Sequence, residues 1–375
     1  MSNYITGSSA KAWFGKETTR GEGYTGTPKL LNMTSESINT TYNRLDEETL
    51  LASKTQTARD LGSVDVSGDI NTILRPSFAP LLFELALGKV EKTSTDPTVE
   101  GAVFDEWTYT LADVDEDLPT SEVIIKKGKK KVDNTTHDNL FRYKGMTVTN
   151  LTLECPAQDF VSANTSFVGL DEVYQWADGA SAGEPVVTQE SSFKCTQAKL
   201  INAAAGSDDL DNFSWSWDTC PAGEVYDVNS STLTFDNGVE STPATYCSGL
   251  YAAQPVHGQR SVTIQCSVPY SNSFETFRQT YYANEEAANL ALMVAFCTKD
   301  TYDYTYTPSG SEDSVTVKRP KEQVFVIIPY VNITDMSANV GGQGIVDGSF
   351  TGEALSIGST EPVKVIYRKF KSLAQ

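Results

Sequence analysis

Residues that commonly build active sites are scarce in this sequence of 375 residues. It has two histidines, and neither His137 nor His257 lies beside a nucleophile motif. The H-E-x-x-H motif of zinc proteases and the G-x-x-x-x-G-K-[ST] loop of nucleotide-binding proteins are both missing. We therefore predict that the chain is not an enzyme, with no catalytic residue, no cofactor and no metal site. A glycosidase carboxylate pair stays an open alternative, because 49 acidic residues offer many spacings.

Cysteine is also sparse. The six cysteines are far apart, and no two form the C-x-x-C pair that is typical of zinc and redox sites. Cys155, Cys266 and Cys297 lie in strand-like runs, where a buried thiol is expected. The other three, Cys195, Cys220 and Cys247, lie in or beside a region without a regular pattern, so a disulfide among them is left open.

Basic residues and long apolar runs are the remaining deficits. Lys and Arg together number 29 against 49 Asp and Glu, which gives a formal net charge of -20. Tight nucleic-acid binding is therefore not expected, because its affinity comes largely from basic side chains. The longest apolar run, Leu290 to Cys297, is far shorter than the ~20 residues that cross a bilayer as a helix. No membrane span and no signal peptide are predicted.

Aromatic and hydrophobic residues are present in amounts that favour β structure. The hydrophobic fraction is 39%, and 17 Tyr and 16 Phe suit half-buried strand surfaces. Partial alternation around Gly68 predicts a bent strand at residues 55–74, and the run at 140–168 predicts two paired strands. Helical spacing predicts one short helix before Gly88 and a second one around Phe274. About ten strands and two helices indicate a β-sandwich or barrel.

One interval interrupts these patterns. Residues 171–228 are rich in Gly, Ala, Ser and Asp and show no sustained period. We interpret residues 1–375 as a single domain that carries a surface insertion at 171–228.

Four stretches resemble the tail tube protein family of long-tailed, siphophage-type bacteriophages. The most specific is residues 36–88, where two strands are followed by Arg-Pro and a leucine-rich helix that ends in Ala-Leu-Gly. Residues 141–169 are similar to the family's paired strands. Residues 230–270 resemble a strand that is followed by Asn237 and a second strand, and residues 327–355 resemble the closing strands.

The resemblance implies a mainly β, sandwich or barrel-like fold whose inner strands join those of neighbours in hexameric rings. The rings would stack into the tail tube of the virion after assembly in the host cytoplasm. The implied partners are other copies of the chain, a tape measure protein, a tail terminator and distal tail proteins. A ring would carry 6 × (-20) = -120 formal charges, so we expect an acidic lumen through which DNA passes without specific binding.

A dense group of lysines is unusual in so acidic a chain. Its members are Lys126, Lys127, Lys129, Lys130 and Lys131. A solvated hairpin or loop is one interpretation. The other is a contact between rings, in which the lysines meet an acidic loop of the next ring that contains Asp113, Asp115, Glu116 and Asp117.

A second function from another class stays open. A β-sandwich adhesin or carbohydrate-binding module could use tryptophan side chains as stacking platforms, namely Trp107, Trp176, Trp215 and Trp217. Such a module would not polymerise, whereas a tube subunit would assemble with itself.

Overall fold

The computed structural model describes residues 7–47, 58–93, 103–113, 116–132, 135–177, 184–186, 190–204, 224–226, 228–240, 256–283, 290–306, 314–339 and 346–371. Within them lie 23 β-strands and two α-helices. The first strands are β1 (Ala10–Lys16), β2 (Lys29–Leu31), β3 (Met33–Glu36), β4 (Asn39–Glu47), β5 (Ala58–Ile73), β6 (Gly88–Thr93), β7 (Val103–Leu111), β8 (Ser121–Val132), β9 (Thr135–Pro156), β10 (Ser162–Gly169), β11 (Asp171–Ala177) and β12 (Phe193–Ala204). The others are β13 (Glu224–Tyr226), β14 (Ser230–Asp236), β15 (Val239–Glu240), β16 (Val256–His257), β17 (Ser261–Pro269), β18 (Leu290–Thr298), β19 (Thr301–Tyr306), β20 (Val315–Pro320), β21 (Glu322–Asn339), β22 (Asp347–Ala354) and β23 (Lys364–Lys371). The helices are α1 (Ala79–Leu87) and α2 (Asn272–Ala283).

Three antiparallel sheets are joined because two long strands, β9 and β21, each belong to two of them. The first half of β9 lies in a sheet with the order β2, β1, β8, β9, β11. Its second half lies in a sheet with the order β5, β10, β9, β14, β17, β22, β21, which we call the wide sheet. Strands β3 and β4 pair with the other edge of β5. The first half of β21 lies in a third sheet with the order β13, β12, β18, β21, β23, β7, β6.

Alternation along the wide sheet separates a core face from a solvent face. Leu151 and Leu153 of β9 are fully buried, as are Leu233 and Phe235 of the neighbouring strand β14. The residues between them are polar and partly exposed. A strand that has one face in the core and the other in water requires this two-residue period.

Helix α1 packs on the core face and ends where the sequence predicts. Leu82, Phe83 and Leu85 are buried among the strands. Gly88 follows with φ of 96°, and a Cβ atom there would lie 2.6 Å from the Cβ of Ala112. Glycine is therefore needed both for the backbone conformation and for the close approach. No helix in the described part of the chain is long and apolar enough to cross a membrane.

The predicted mainly β, sandwich-like fold class is confirmed for the subunit, and so are the main segments that indicated it. The bent strand at 55–74 corresponds to β5, the paired strands at 140–168 to β9 and β10, and the two helices to α1 and α2. The structure has more strands than the ten or so that were predicted. Many of the additional ones are too short to show alternation.

The surface insertion predicted at residues 171–228 stays a prediction, but its two ends belong to the sheets. Strand β11 pairs with β9, β12 pairs with β18, and Phe193 is fully buried in the core. The register of β12 against β18 shifts between Lys194 and Lys199, and this irregularity interrupts the alternation that sequence analysis needs. Residues 205–223 lie outside the described residues.

Candidate assembly surfaces

The solvent face of the wide sheet is a continuous surface of small polar side chains. Because antiparallel partners point to the same side, one row runs across five strands. It consists of Asn71, Asn164, Thr152, Thr234 and Thr263. Parallel rows contain further Ser, Thr, Asn and Gln side chains, among them Ser166, Asn150, Thr232, Gln265, Thr351, Ser267, Ser349 and Ser337. We call this surface the polar face.

All charged side chains on the described polar face are acidic. They are Asp65, Asp69, Glu154, Asp236, Asp335, Asp347 and Glu353, whereas no Lys or Arg alternates onto this face in the described residues of the wide sheet. Such a surface offers hydrogen bonds to water and repels phosphate groups. Sequence analysis did not identify it, although the alternating Ser and Thr residues indicated that each of these strands has one face in solvent.

The wide sheet has an open edge at each side. At one side β21 pairs with β22 through residues 331–339, and no strand in the described part of the chain pairs with the opposite edge of residues 332–339. At the other side, the outer edges of β3 and β4 are likewise unpaired among the described residues. Unpaired edges expose backbone donors and acceptors that a neighbouring chain can bind.

A two-stranded arm extends from the edge formed by β3 and β4. It consists of residues 41–47 of β4 and 58–65 of β5, which pair from Thr41 and Asp65 to Glu47 and Ala58 with a register shift between Asn43 and Arg44. Tyr42 is 54% exposed and Leu45 is 64% exposed. Two-stranded hairpins are at best marginally stable alone in water, and these exposed apolar side chains favour contact with another molecule.

A comparison with protein families decides between the two functions that the sequence left open. The model of the phage tail tube protein family matches residues 7–354. The chain belongs to this family. A search of curated proteins finds no match. Membership assigns the chain a structural role in the tail tube of a phage virion, and a tube is built by self-assembly of its subunits.

Of the four tryptophans that the alternative function would use as aromatic platforms, the structure describes the side chain of Trp107. Trp107 packs on Tyr367 with ring centroids 5.5 Å apart, and the Lys92 ammonium lies 5.1 Å from the Trp107 ring. The side chain of Trp176 and the whole of Trp215 and Trp217 lie outside the described residues. The tail tube family therefore gives the better account of this β fold.

The predicted lysine group is already partly engaged within the subunit. Lys126 lies 2.8 Å from Asp138 and 2.9 Å from Glu184. Burial lowers the pKa of Lys126, but the hydrogen bonds to these two carboxylates outweigh it and leave the pKa raised. Lys127 binds Glu36 at 2.8 Å, and its ammonium lies 5.0 Å from the ring of Phe141.

The rest of the predicted contact between rings stays a prediction. Lys129 is exposed, while the side chains of Lys130 and Lys131 lie outside the described residues. Of the acidic loop, Asp113, Glu116 and Asp117 are exposed, and Asp115 lies outside the described residues. Within one subunit, the described contacts of Lys126 and Lys127 are with carboxylates outside this loop, namely Asp138, Glu184 and Glu36.

Three cysteines occupy the places that were predicted for them. Cys155, Cys266 and Cys297 are buried in the sheets and form no disulfide, and burial raises the pKa of the Cys266 thiol. The side chain of Cys195 and the residues Cys220 and Cys247 lie outside the described residues.

Residues 179–183 have the sequence G-A-S-A-G, which is the G-x-S-x-G spacing of a nucleophile elbow and was missed in the motif analysis. They also lie outside the described residues.

Buried polar contacts fix the ends of α1 and of the first sheet. Asn237 donates hydrogen bonds to the carbonyl oxygens of Ala86 at 2.8 Å and Val148 at 3.0 Å, so it joins the end of α1 to β9. Glu17 accepts hydrogen bonds from the backbone of Gly21 and Gly145 and from Thr120. These side chains are structural, and they hold the assembly surfaces in place.

Proposed function

We propose that the chain forms hexameric rings that stack into the tail tube, and that the polar face lines the lumen through which DNA is conducted to the host. The observation that carries this proposal is the absence of Lys and Arg from the described polar face, beside acidic residues such as Asp69, Asp236 and Asp335. Duplex DNA binds proteins mainly through counterion release at basic side chains. A lumen wall without basic side chains does not retain DNA, so the DNA can slide along the tube.

The open edges of the wide sheet supply the contact within a ring. Residues 332–339 of β21 in one copy would pair with β3 and β4 of the next copy, because these edges lie at opposite sides of the same sheet. This head-to-tail pairing uses two different surfaces and closes into a ring when the rotation between copies allows it. Closure would remove the edges that make an isolated subunit prone to aggregation.

Contacts between rings would involve the arm and the predicted ionic contact. Tyr42 and Leu45 would be covered by a neighbouring copy. Lys129 is the exposed described member of the predicted lysine group, and it would add an ionic contact with the next ring. We also propose that residues 1–375 form one domain. Its surface insertion would be shorter than residues 171–228 and would consist of the segment between β12 and β13.

The tape measure protein would occupy the lumen before DNA does, and the terminator and distal tail proteins would bind the two ends of the tube.

Thiol labelling tests the position of the polar face. Thr263 lies on this face beside Thr234, and Thr316 lies on the separate hairpin of β19 and β20. Each is replaced by cysteine, and intact tubes are treated with a small maleimide or with maleimide on a gold particle wider than the lumen. We expect the small reagent to label both variants and the gold particle to label only Thr316→Cys. Gold labelling of Thr263→Cys along the tube wall would contradict the proposal, and the unmodified protein gives the background of the natural cysteines.

A further inference from the structure

The strand register of the wide sheet defines two opposite ends. Ile73, Ser162 and Pro156 lie at one end, which we call the first rim, while Val66, Gly169 and Asp236 lie at the other, the second rim. Strand β10 between them spans about 26 Å. In a barrel built from such sheets, the strand ends form the top and bottom of the ring. Rings that stack in one direction therefore place the first rim of one on the second rim of the next.

A cationic pocket of about 480 Å³ opens at the first rim. Its positive groups are Arg75, which follows β5, Lys194 of β12 and Lys299, which follows β18. Phe160 completes it, with a ring that is 41% exposed and a centroid 5.6 Å from the Lys194 ammonium. Lysine and arginine are outnumbered by acidic residues in this chain, 29 to 49, so three cations in one pocket are unusual.

The acidic groups of this pocket leave its positive charge in excess. Glu190 and Asp300 also line it. The Glu190 carboxylate accepts a hydrogen bond from the Ser77 backbone at 3.0 Å, and its main-chain oxygen accepts one from Arg75 at 3.2 Å. The Nε of Arg75 is buried and has no hydrogen-bond partner among the described residues. The pocket is thus suited to an acidic segment.

An acidic loop lies at the second rim, with its two ends anchored on the core. Ala112, which precedes the loop, donates to the Leu87 oxygen at 2.7 Å and accepts from Arg260 at 2.8 Å, beside the start of β17. Leu118, which follows it, is buried. Between these anchors the described residues Asp113, Glu116 and Asp117 are exposed. The loop and the pocket therefore lie at opposite rims of one subunit.

We infer that the cationic pocket of one copy receives the acidic loop of a copy in the next ring. This inference rests on the proposed stacking of rings, and its partner is a second copy of the same chain. Opposite charges at opposite rims give every ring the same direction, because two like rims repel. The lysine group on β8 is a poorer partner for the loop, since Lys126 and Lys127 already bind carboxylates and Lys127 lies beside the β3 edge, away from the first rim.

Charge reversal on the two rims tests the inference. One variant carries Lys194→Glu and Lys299→Glu, a second carries Asp113→Lys and Glu116→Lys, and a third combines all four changes. We expect each of the first two to shorten tubes at least several-fold in electron micrographs, and the combined variant to recover most of the wild-type length. A matched control, Asp303→Lys with Lys318→Glu, swaps a paired couple on the β19 and β20 hairpin and should leave the length unchanged.

The outcomes separate this inference from the proposed function. Tubes of normal length from both two-site variants, or no recovery in the combined variant while circular dichroism shows it folded, would overturn the docking of loop and pocket alone. Wild-type protein that forms neither rings nor tubes would overturn both. A charge-independent measurement uses Glu116→Cys with Lys299→Cys. Oxidised tubes of this variant should yield a ladder of linked subunits, and tubes without such a ladder would also contradict the inference.

Discussion

Placing positive charge on the polar face should make this surface bind the DNA that otherwise slides past it. Thr234 and Gln265 lie on adjacent strands of this face, and both are accessible to solvent. Replacing both by lysine adds 2 × 6 = 12 positive charges to each proposed hexameric ring. Surface substitutions of this kind change the free energy of unfolding by only about 0.5 kcal/mol. Tubes of the variant should therefore assemble normally.

The expected effect on DNA follows from counterion release. If about half of the added lysines contact phosphates, affinity falls roughly 1,000-fold between 50 and 200 mM salt, as for other proteins with about six phosphate contacts. Virions with the variant tube should therefore release DNA slowly at low salt and regain the normal rate at high salt. The assay is the appearance of DNA in a dye-fluorescence measurement after ejection is triggered.

A matched variant separates position from net charge. Thr305 and Thr316 are exposed and hydrogen-bonded to each other on the β19 and β20 hairpin. Lysine at both adds the same charge away from the polar face and should leave ejection unchanged. Equal ejection rates for the two variants at every salt concentration would refute the assignment of the polar face to the lumen.

Three further predictions concern single features. Asn237→Ala leaves two buried carbonyl groups without their donor, so the free energy of unfolding should fall by about 2–4 kcal/mol in a denaturant titration; an unchanged value would show that the contact is dispensable. Replacing residues 206–222 by a short Gly-Ser linker should preserve folding and tubes, and insoluble protein would show that this part packs into the core. Lys129→Glu should shorten tubes without changing the melting temperature, while Lys126→Glu should lower that temperature because it places a third carboxylate beside Asp138 and Glu184. The first half of this comparison fails if Lys129→Glu tubes keep their normal length.

Local signals in the sequence predict much of the fold. Helix α1 was predictable because apolar spacing and Gly88 act within a few residues, and β9 and β10 were predictable because their polar and apolar residues alternate. Strand β12 was not, since its pairing with β18 is irregular and its partner lies about 100 residues away in the sequence. A sequence pattern shows the alternation within a strand, but it does not show which strands lie beside it.

The candidate surfaces were less accessible to sequence analysis. The composition indicated an acidic protein, but the polar face exists only because seven strands are brought side by side, each contributing a few outward residues. The lysine group looked available for assembly because a sequence shows charge density and not partners. Along the chain, Asp138 lies 138 − 126 = 12 residues from Lys126, and Glu184 lies 184 − 126 = 58 residues from it. Only the fold brings these three side chains together.

The measurement that tests the central claim most directly is an electron cryomicroscopy reconstruction of the assembled tube at a resolution that shows side chains. The account predicts hexameric rings in which the row from Asn71 to Thr263 faces the lumen and residues 332–339 pair with β3 and β4 of the adjacent copy. A reconstruction in which this row faces the outside of the tube, or in which basic residues line the lumen, would contradict it.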